Sequence, residues 1–538
     1  MRAPGPGQWR ATVRDPLAAI ALTALAAYVV FFAVHSSAIV TTLYLNADIA
    51  SGPVIAQSLA SAPGHTEVLL GNYPWFEALG AMSILRSLPA HRFLWEATPF
   101  AVAVATMGLL AWGTGRAAGR RAALLTLAIG LAASPATVAD LGTWTVHGLT
   151  WAHAALLAWL AVWLAGVRSR RAALGVAALV GLACGPALAS DLLLIPAGLL
   201  PLWVATLALW LRGRTTRSAT DTRVLLQATA VATAMTAIGA ALTVLVAHHE
   251  NIHGAGTLPI RLASVSRLGH NVRVLWESLA ALGNGDVFNA AFGASTLLHA
   301  VCAGMAIVAV VVALWAARSA LLAASSPSMV ALAAFWATAC VALLASFVFS
   351  SVPVASFSGR YLVGVLMAVA ALVPLAARRP LGRALIGAAV TYFVLVGVMS
   401  LLRGEMTANP THFPTAAEAD QVARFASRQS ATVGYAGYWD AAPLTWSSNF
   451  ATHVYPVAPC GESLCAYELH RVASWYSPRP ASRSFLVLDG TVRQVSLTSL
   501  PAAIGRPVAS ARIGQLDVYV FSGDIARHFG APLRGPQA

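Results

Sequence analysis

Two apolar runs separated by arginines indicate how this chain folds. The decisive stretch, residues 361–402, reads YLVGVLMAVAALVPLAARRPLGRALIGAAVTYFVLVGVMSLL. Its apolar runs, 361–377 and 383–402, approach the roughly 20 residues that a helix needs to cross a bilayer. Arginines stand between the runs, and arginine collects in loops on the cytoplasmic side of a membrane. The stretch therefore predicts two spanning helices joined by a cytoplasmic turn.

Apolar runs of this kind recur through the first 402 residues of the 538-residue chain. They predict about eleven spans, near 16–35, 95–114, 122–138, 148–167, 172–189, 193–211, 224–246, 295–316, 328–350, 361–377 and 383–402. Every second connection is rich in arginine, which predicts an N-terminus inside the cell and a C-terminus outside. Pro135 and Pro186 predict a kink or break in the third and fifth spans. The first run is followed by no convincing cleavage site, so we expect it to remain as an anchor.

The composition supports a membrane protein. Hydrophobic residues make up 58% of the chain and charged residues 10%, and the mean hydropathy is +0.71, whereas soluble proteins average about 25% charged residues. The formal charge of +14 would suggest a nucleic-acid partner in a soluble protein. Here the arginines abut apolar runs, so we interpret them as topology signals and expect no nucleic-acid partner.

The predicted outer connections include two long loops, 36–94 and 247–294. The first loop contains two stretches, 43–59 and 75–88, that suit the lipid–water interface. From residue 403 the chain becomes polar, and its apolar runs shorten to strand length. Together with one helical pattern, those runs predict a small α/β domain over 403–538. The predicted strands are 431–436, 453–457, 484–488 and 516–521, and the predicted helix is 415–428. We therefore predict an α-helical polytopic membrane domain, 1–402, and an extracytoplasmic α/β domain.

Two cysteines in this second domain, Cys460 and Cys465, are separated by four residues. Because the segment is predicted to face an oxidising compartment, the spacing favours a disulfide over a metal site. Aromatic residues crowd the same domain around Tyr435, Tyr438 and Trp439. They are consistent either with a core or with a surface that stacks on sugar rings, and core packing is the more common use.

Asp48 is the first candidate for chemistry, since a carboxylate just beyond the first span is costly near lipid unless it is partnered or functional. It is suited to accept a proton from an incoming hydroxyl or amine while a lipid-borne leaving group stays in the bilayer. The alternatives are a helix cap and a solvated interfacial acid.

Arg360 is the second candidate, because it stands at a predicted outer boundary where arginine is otherwise scarce. A guanidinium clamps phosphate through two hydrogen bonds. The alternatives are an arginine that reaches to lipid headgroups and, for Tyr361 beside it, a place in the aromatic belt. Asp191 is predicted to cap the sixth span, whereas Asp140 and His147 are candidates to face the same outer cavity as Asp48.

A third pattern, His249-Glu250-Asn251-Ile252-His253, matches the His-Glu-x-x-His spacing of zinc hydrolases. On a helix it would place both imidazoles on one face and make Glu250 a general base. Gly254 follows directly and breaks helices, so a solvated cluster or one that holds an anionic headgroup is the alternative.

The order of these parts resembles the GT-C class of membrane glycosyltransferases, which use polyprenyl-phosphate-linked sugars. Protein O-mannosyltransferases and the aminoarabinose transferase of lipid A belong to this class. The residues that carry the resemblance are Asn46-Ala47-Asp48 before a large outer loop and Gly359-Arg360-Tyr361-Leu362 at the entry to a late span.

The resemblance implies an enzyme of a bacterial plasma membrane that transfers a sugar from a polyprenyl-phosphate donor to a glycan, lipid or protein acceptor. It implies that Asp48 activates the acceptor in an inverting displacement and that Arg360, with Tyr361, binds the lipid phosphate. Further substrate contacts are assigned to Arg267, His270 and Arg273. Many relatives have two adjacent acids where this chain has Ala47 and Asp48, which leaves Glu67 or Glu77 to supply a second carboxylate. A divalent cation stays open, and the alternative function is a lipid or glycan transporter, flippase or polymerase.

Overall fold

The computed structural model describes most of the chain in two compact units. The described residues are 19–20, 22–23, 26, 47–61, 66–71, 76–88, 91–132, 134–142, 144, 147–216, 222–254, 260–285, 287, 293–323, 325–354, 356–377, 380–402, 414–460, 463–479, 482–489 and 504–530.

The first unit comprises Met1–His35, Thr98–Thr243 and Pro259–Met406, and its described elements are helical. They are His91–Ala118, Arg120–Leu131, Pro135–Gly142, Gly148–Leu164, Arg170–Ser190, the π-helical turn Ile195–Leu199, Leu200–Thr216, Thr222–His249, Val265–Leu282, Ala294–Leu322, Pro327–Phe349, the 3₁₀ helix Ser356–Leu362, Val363–Ala376 and Pro380–Leu402.

Eight of the described helices are long and apolar enough to cross a membrane, and Gly148–Leu164 is a shorter apolar helix. The third predicted span is broken as Pro135 predicts, because one helix ends at Leu131 and the next begins at Pro135. Of the two outcomes predicted for the fifth span, a break does not occur, since Arg170–Ser190 continues through Pro186; a kink there stays a prediction. The first predicted span, 16–35, lies mostly outside the described residues, so the count of eleven stays a prediction.

Local sequence signals set where individual helices begin. The Ser326 hydroxyl accepts the Met329 N–H at 3.3 Å, and Pro327 occupies the first helical position, where a missing N–H costs nothing. Thr415 and Glu418 form a reciprocal capping box at the start of Ala416–Arg428. Both starts were predictable from residue types alone.

The second unit comprises Ser36–Ala97, Val244–Leu258 and Thr407–Ala538. Its further helices are Ala47–Ser61, Phe76–Leu85, Ala416–Arg428 and Tyr438–Ser447. Its strands are β1 Val68–Leu70, β2 Ile252–Gly254, β3 Val433–Ala436, β4 His453–Cys460, β5 Ser463–Ala466, β6 Arg471–Val472, β7 Ser484–Asp489, β8 Ala509–Ile513 and β9 Leu516–Phe521. The predicted strands and helix of this region are confirmed to within a few residues, and the predicted boundary between residues 402 and 403 stays a prediction.

Two sheets organise this unit. The larger has the order β5-β4-β3-β7-β9-β8, with β3 parallel to β4 and β7 and the remaining pairs antiparallel. The smaller has the order β2-β1-β6 and joins three distant parts of the chain, since β1 pairs with β2 in parallel and with β6 antiparallel. Cys460 and Cys465 are disulfide-bonded across the β4–β5 hairpin, with Cα atoms 5.8 Å apart.

The helix Ala47–Ser61 corrects one expectation for the first outer loop. Ala47 and the residues from Ile49 to Ala56 are buried around its whole circumference, so the helix does not lay an apolar face on lipid. Gly52 allows this, because a Cβ there would come within 2.8 Å of the Met82 sulfur on Phe76–Leu85. The second stretch has a buried side at Leu79 and Met82, while Ile84 is exposed.

A pair of buried carboxyl groups lies near the carboxyl ends of β3 and β7. Asp440 and Asp489 are 3% and 6% exposed. Burial, together with the smaller effect of the Asp489 charge, raises the pKa of Asp440 to about 7. The folded protein thus binds a proton more tightly than the unfolded chain, so stability is fully present at low pH and is lost as the pH rises through about 7.

We expect Asp440→Asn to remove the loss of folding stability at higher pH. At pH 8 the variant should be more stable than the unchanged protein by a few kcal/mol and unfold at a higher temperature, whereas near pH 4 the two should unfold at similar temperatures. Thermal unfolding of the full chain in detergent, followed by tryptophan fluorescence, measures both. Asp420→Asn, at an exposed position, is the matched control, and parallel pH profiles for all three proteins would contradict the prediction.

Candidate active site

Asp48 lies in the first turn of Ala47–Ser61 and is only partly exposed. Its Oδ1 atom accepts a hydrogen bond of 2.5 Å from the phenol of Tyr438, which is 390 residues away in the chain. Tyr438 is the first residue of Tyr438–Ser447, directly after β3. The Asp48 carboxylate is therefore bound by Tyr438, whose position is set by the end of β3 in the larger sheet.

The Tyr438 ring is itself surrounded by aromatic side chains. It stacks on Tyr467 with centroids 4.5 Å apart and on His470 at 5.9 Å, and it meets the edge of Trp439 at 5.1 Å. Burial raises the pKa of Tyr438 well above its usual range, and the neighbouring Asp48 raises it further by charge and by hydrogen bonding. Tyr438 is thus a hydrogen-bond donor at every working pH.

His470 completes the buried side of this cluster. It is 4% exposed, and burial lowers its pKa to about 4, although Asp48 opposes the shift. The imidazole is therefore neutral at physiological pH. Gly71 makes room for it, because a Cβ at that position would lie 2.4 Å from His470 Nε2.

Arg360 belongs to the first unit, in the 3₁₀ helix Ser356–Leu362. Its guanidinium lies 5.3 Å from the centroid of the Tyr361 ring, close enough for a cation–π contact. Gly359 packs against Ser278, since a Cβ there would be 3.4 Å from the Ser278 Cβ. The helix Val265–Leu282 thus supports the segment that carries Arg360.

His147 and Asp191, which stand at predicted outer ends of spans, join this part of the unit. The His147 ring lies 4.7 Å from the Tyr361 ring, and its Nδ1 is 2.6 Å from Asp191 Oδ2. Asp191 also accepts a hydrogen bond from Thr150 Oγ1 at 2.6 Å and from the Leu193 N–H at 2.9 Å. The last contact closes a turn before the next helical segment. The predicted cap of the sixth span is wrong, because Asp191 is the C-cap residue of Arg170–Ser190 and Ile195–Leu199 has Leu194 as its N-cap, without a side-chain cap bond.

Asp140 is electrostatically linked to Arg360. Burial raises the pKa of Asp140 to about 7, and the Arg360 charge opposes this shift. Within the protein, Arg360 therefore interacts with the Tyr361 ring and with the Asp140 carboxyl group.

The other predicted phosphate contacts lie on the outward face of Val265–Leu282. Arg267 and His270 are exposed, and Arg273 pairs with Glu277 at 2.8 Å while its side chain stays 79% exposed. The helix itself is anchored by the buried Asn271, whose amide donates to the Val348 and Ser350 carbonyls.

The helical arrangement required by the zinc alternative does not form. The helix ends at His249, and Asn251 adopts a positive φ of 55°, a conformation that commonly ends helices. His253 then lies in β2 and hydrogen-bonds the Asn251 side chain at 2.8 Å. Among the described residues, no three His, Cys, Asp or Glu side chains group as a metal site, so a divalent cation has no support there.

The candidate second carboxylates occupy different settings. Glu77 lies in the first turn of Phe76–Leu85 and is partly buried. Glu67 is exposed beside β1, where its carbonyl accepts the Ala473 N–H. Asn46, which belongs to the motif that carries the resemblance, lies outside the described residues.

The aromatic residues of the second unit serve mainly as core. Tyr435 and Trp446 are at most 1% exposed, and Tyr455 stacks on Trp475 at 4.9 Å. Core packing is thus confirmed for these residues. Tyr467 and His470 were not singled out from the sequence, because nothing local marks a residue that packs beside an acid more than 400 positions away.

Comparison with solved structures identifies the fold. ArnT from Cupriavidus metallidurans bound to undecaprenyl phosphate superposes with a TM-score of 0.54 at 13% identity, over 96% of this chain and 98% of that chain. ArnT in the apo state gives 0.51 at 14% identity, over 93% and 98%. The Archaeoglobus fulgidus oligosaccharyltransferase in the apo form gives 0.50 at 12% identity, over 82% and 64%.

No protein-family model and no curated protein matches the sequence. The structural likenesses nevertheless confirm the predicted fold class, a polytopic helical membrane protein of the GT-C type with a C-terminal sheet region.

Proposed function

We propose that this protein is a membrane glycosyltransferase that moves a sugar from a polyprenyl-phosphate donor to an acceptor on the extracytoplasmic face of a bacterial plasma membrane. A fold hosts many functions, so the proposal must rest on a site. The observation that carries it is the partly exposed Asp48 carboxylate, held by a buried phenol at a helix start. The likeness to ArnT bound to undecaprenyl phosphate, over nearly the whole chain, supports the choice of donor.

The proposed reaction is an inverting displacement at the anomeric carbon. Asp48 takes the proton of the acceptor hydroxyl or amine as general base. The acceptor atom bonds to the anomeric carbon while the bond from that carbon to the phosphate oxygen breaks. The electron pair of the broken bond leaves on the polyprenyl phosphate, and the proton remains on Asp48.

Arg360 is proposed to neutralise the departing phosphate, since a guanidinium is permanently charged and binds two phosphate oxygens at once. Arg360 lies over the Tyr361 ring, which the His147 ring contacts in turn, and Asp140 interacts with it electrostatically. Arg267, His270 and Arg273 remain proposed helpers from the exposed face of their helix, and Glu77 remains a proposed substrate contact.

The orientation is proposed from the arginine pattern. Described arginines at the opposite ends of the spans include Arg116, Arg120 and Arg171, and the positive-inside rule assigns those ends to the cytoplasm. The N-terminus is then cytoplasmic, and Asp48 and Arg360 both lie at extracytoplasmic ends of the predicted topology.

The test uses purified full-length protein and undecaprenyl-phosphate-linked sugars carrying a radiolabel, with solubilised bacterial envelope lipids and glycans as acceptors. We expect label to move to an acceptor and undecaprenyl phosphate to appear in equal amount. Translocation of the labelled lipid across vesicles with no covalent change would contradict the proposal and favour the transporter alternative.

A further inference from the structure

We infer that Tyr438 is a positioning residue for Asp48: its phenol holds Oδ1, which leaves Oδ2 to take the acceptor's proton. The inference rests on the proposed function. It gives the C-terminal segment a part in orienting the base, because Tyr438 begins the helix after β3, whereas Asp48 lies in Ala47–Ser61.

The hydrogen bond has the geometry of a strong contact. At 2.5 Å it lies at the short end of the range for a hydroxyl that donates to a carboxylate. Tyr438 is 5% exposed, so bulk water competes little for the phenol. A carboxylate with one oxygen fixed in this way loses rotational freedom before the acceptor arrives, and such preorganisation is what a general base needs.

The ring that carries the phenol is itself fixed. Tyr467 stacks on it nearly in parallel, at an interplanar angle of 16°, and His470 stacks at 22°. The His470 ring packs directly against Gly71, where any larger residue would clash with it. The aromatic packing therefore restricts the direction of the phenol O–H toward Asp48.

The charges around Asp48 are consistent with this role. Tyr438 stays protonated, and the neutral His470 adds no cation beside the carboxylate. Tyr467, whose pKa burial raises, is the third ionisable group coupled to Asp48. The remaining ionisable side chains on elements packed against Ala47–Ser61 are Glu77, Asp440 and Arg471.

The inference predicts a specific change in Tyr438→Phe, which removes the hydroxyl and keeps the ring. We expect kcat to fall roughly 10- to 100-fold, with the donor KM changed less than about threefold. Because a hydrogen bond to a carboxylate favours its charged form, the acid limb of the kcat/KM profile should move up by about one pH unit. A residue that only maintained the fold would lower activity without moving this limb.

A second substitution should shift the acid limb of the kcat/KM profile in the opposite direction. Site-specific replacement of Tyr438 by 3-fluorotyrosine makes the phenol a stronger donor, so the acid limb should move to lower pH while the packing is retained. This variant also decides the question if Tyr438→Phe fails to fold. Tyr519→Phe, in β9, is the matched control and should leave the pH profile unchanged.

The outcomes separate this inference from the proposed function. Sugar transfer that is unchanged in rate and pH profile by both substitutions at Tyr438 would overturn the inference alone. Absence of transfer by the unchanged protein and by Tyr519→Phe would overturn the proposed function, and the inference with it.

Discussion

Asp48→Asn should lower kcat for sugar transfer by roughly 10²- to 10⁴-fold, the contribution typical of a general base. The amide oxygen still accepts a hydrogen bond from Tyr438, so the local packing survives, but an amide takes up no proton. Transfer from the undecaprenyl-phosphate donor in detergent measures the effect. The thermal unfolding midpoint should stay within a few degrees of the unchanged protein.

The matched control for Asp48 is Asp420→Asn, which removes an exposed acid from the same unit. We expect it to retain full activity. Transfer by Asp48→Asn within about twofold of the control would rule out Asp48 as the base.

Arg360→Ala should lower kcat/KM by roughly 10²- to 10³-fold, comparable to the loss of one preorganised group that stabilises a developing negative charge. Arg360→Lys keeps the charge and loses the two-pronged geometry, so we expect an intermediate value. Arg171→Ala, at an exposed position of the same unit, is the matched control.

A stability effect must be separated from this catalytic one, since Arg360→Ala also removes the cation near Asp140. The double variant Arg360→Ala, Asp140→Asn removes the acid as well and should recover the unfolding temperature without recovering transfer. Recovery of transfer together with stability would show that Arg360 acts only through the fold.

Much of the membrane unit was predictable because hydropathy is a local property. The runs at 328–350 and 295–316 appear as the helices Pro327–Phe349 and Ala294–Leu322. Proline was an unreliable signal. The helix is interrupted before Pro135, whereas Arg170–Ser190 continues through Pro186. A membrane helix tolerates proline where surrounding groups satisfy the freed carbonyl, and residue type alone does not reveal whether they do.

The His-Glu-x-x-His pattern shows how local spacing fails. The motif requires a continuous helix, but β1 offers β2 a parallel partner, with Leu69 opposite His253. Pairing with a strand about 180 residues earlier replaces the helix over the second half of the motif, so tertiary context overrides the local pattern.

Residue types and their spacing were enough to predict the membrane class, most spans, the α/β character of the C-terminal region and the candidacy of Asp48 and Arg360. Each of these depends on runs of neighbouring residues or on a charge that is costly where it stands. The hydrogen bond from Tyr438 to Asp48 and the grouping of Asp191, His147 and Tyr361 beside Arg360 are visible only in the folded protein. Those contacts link residues that are up to 390 positions apart. These contacts arise from tertiary packing, so no pattern of neighbouring residues in the sequence predicts them.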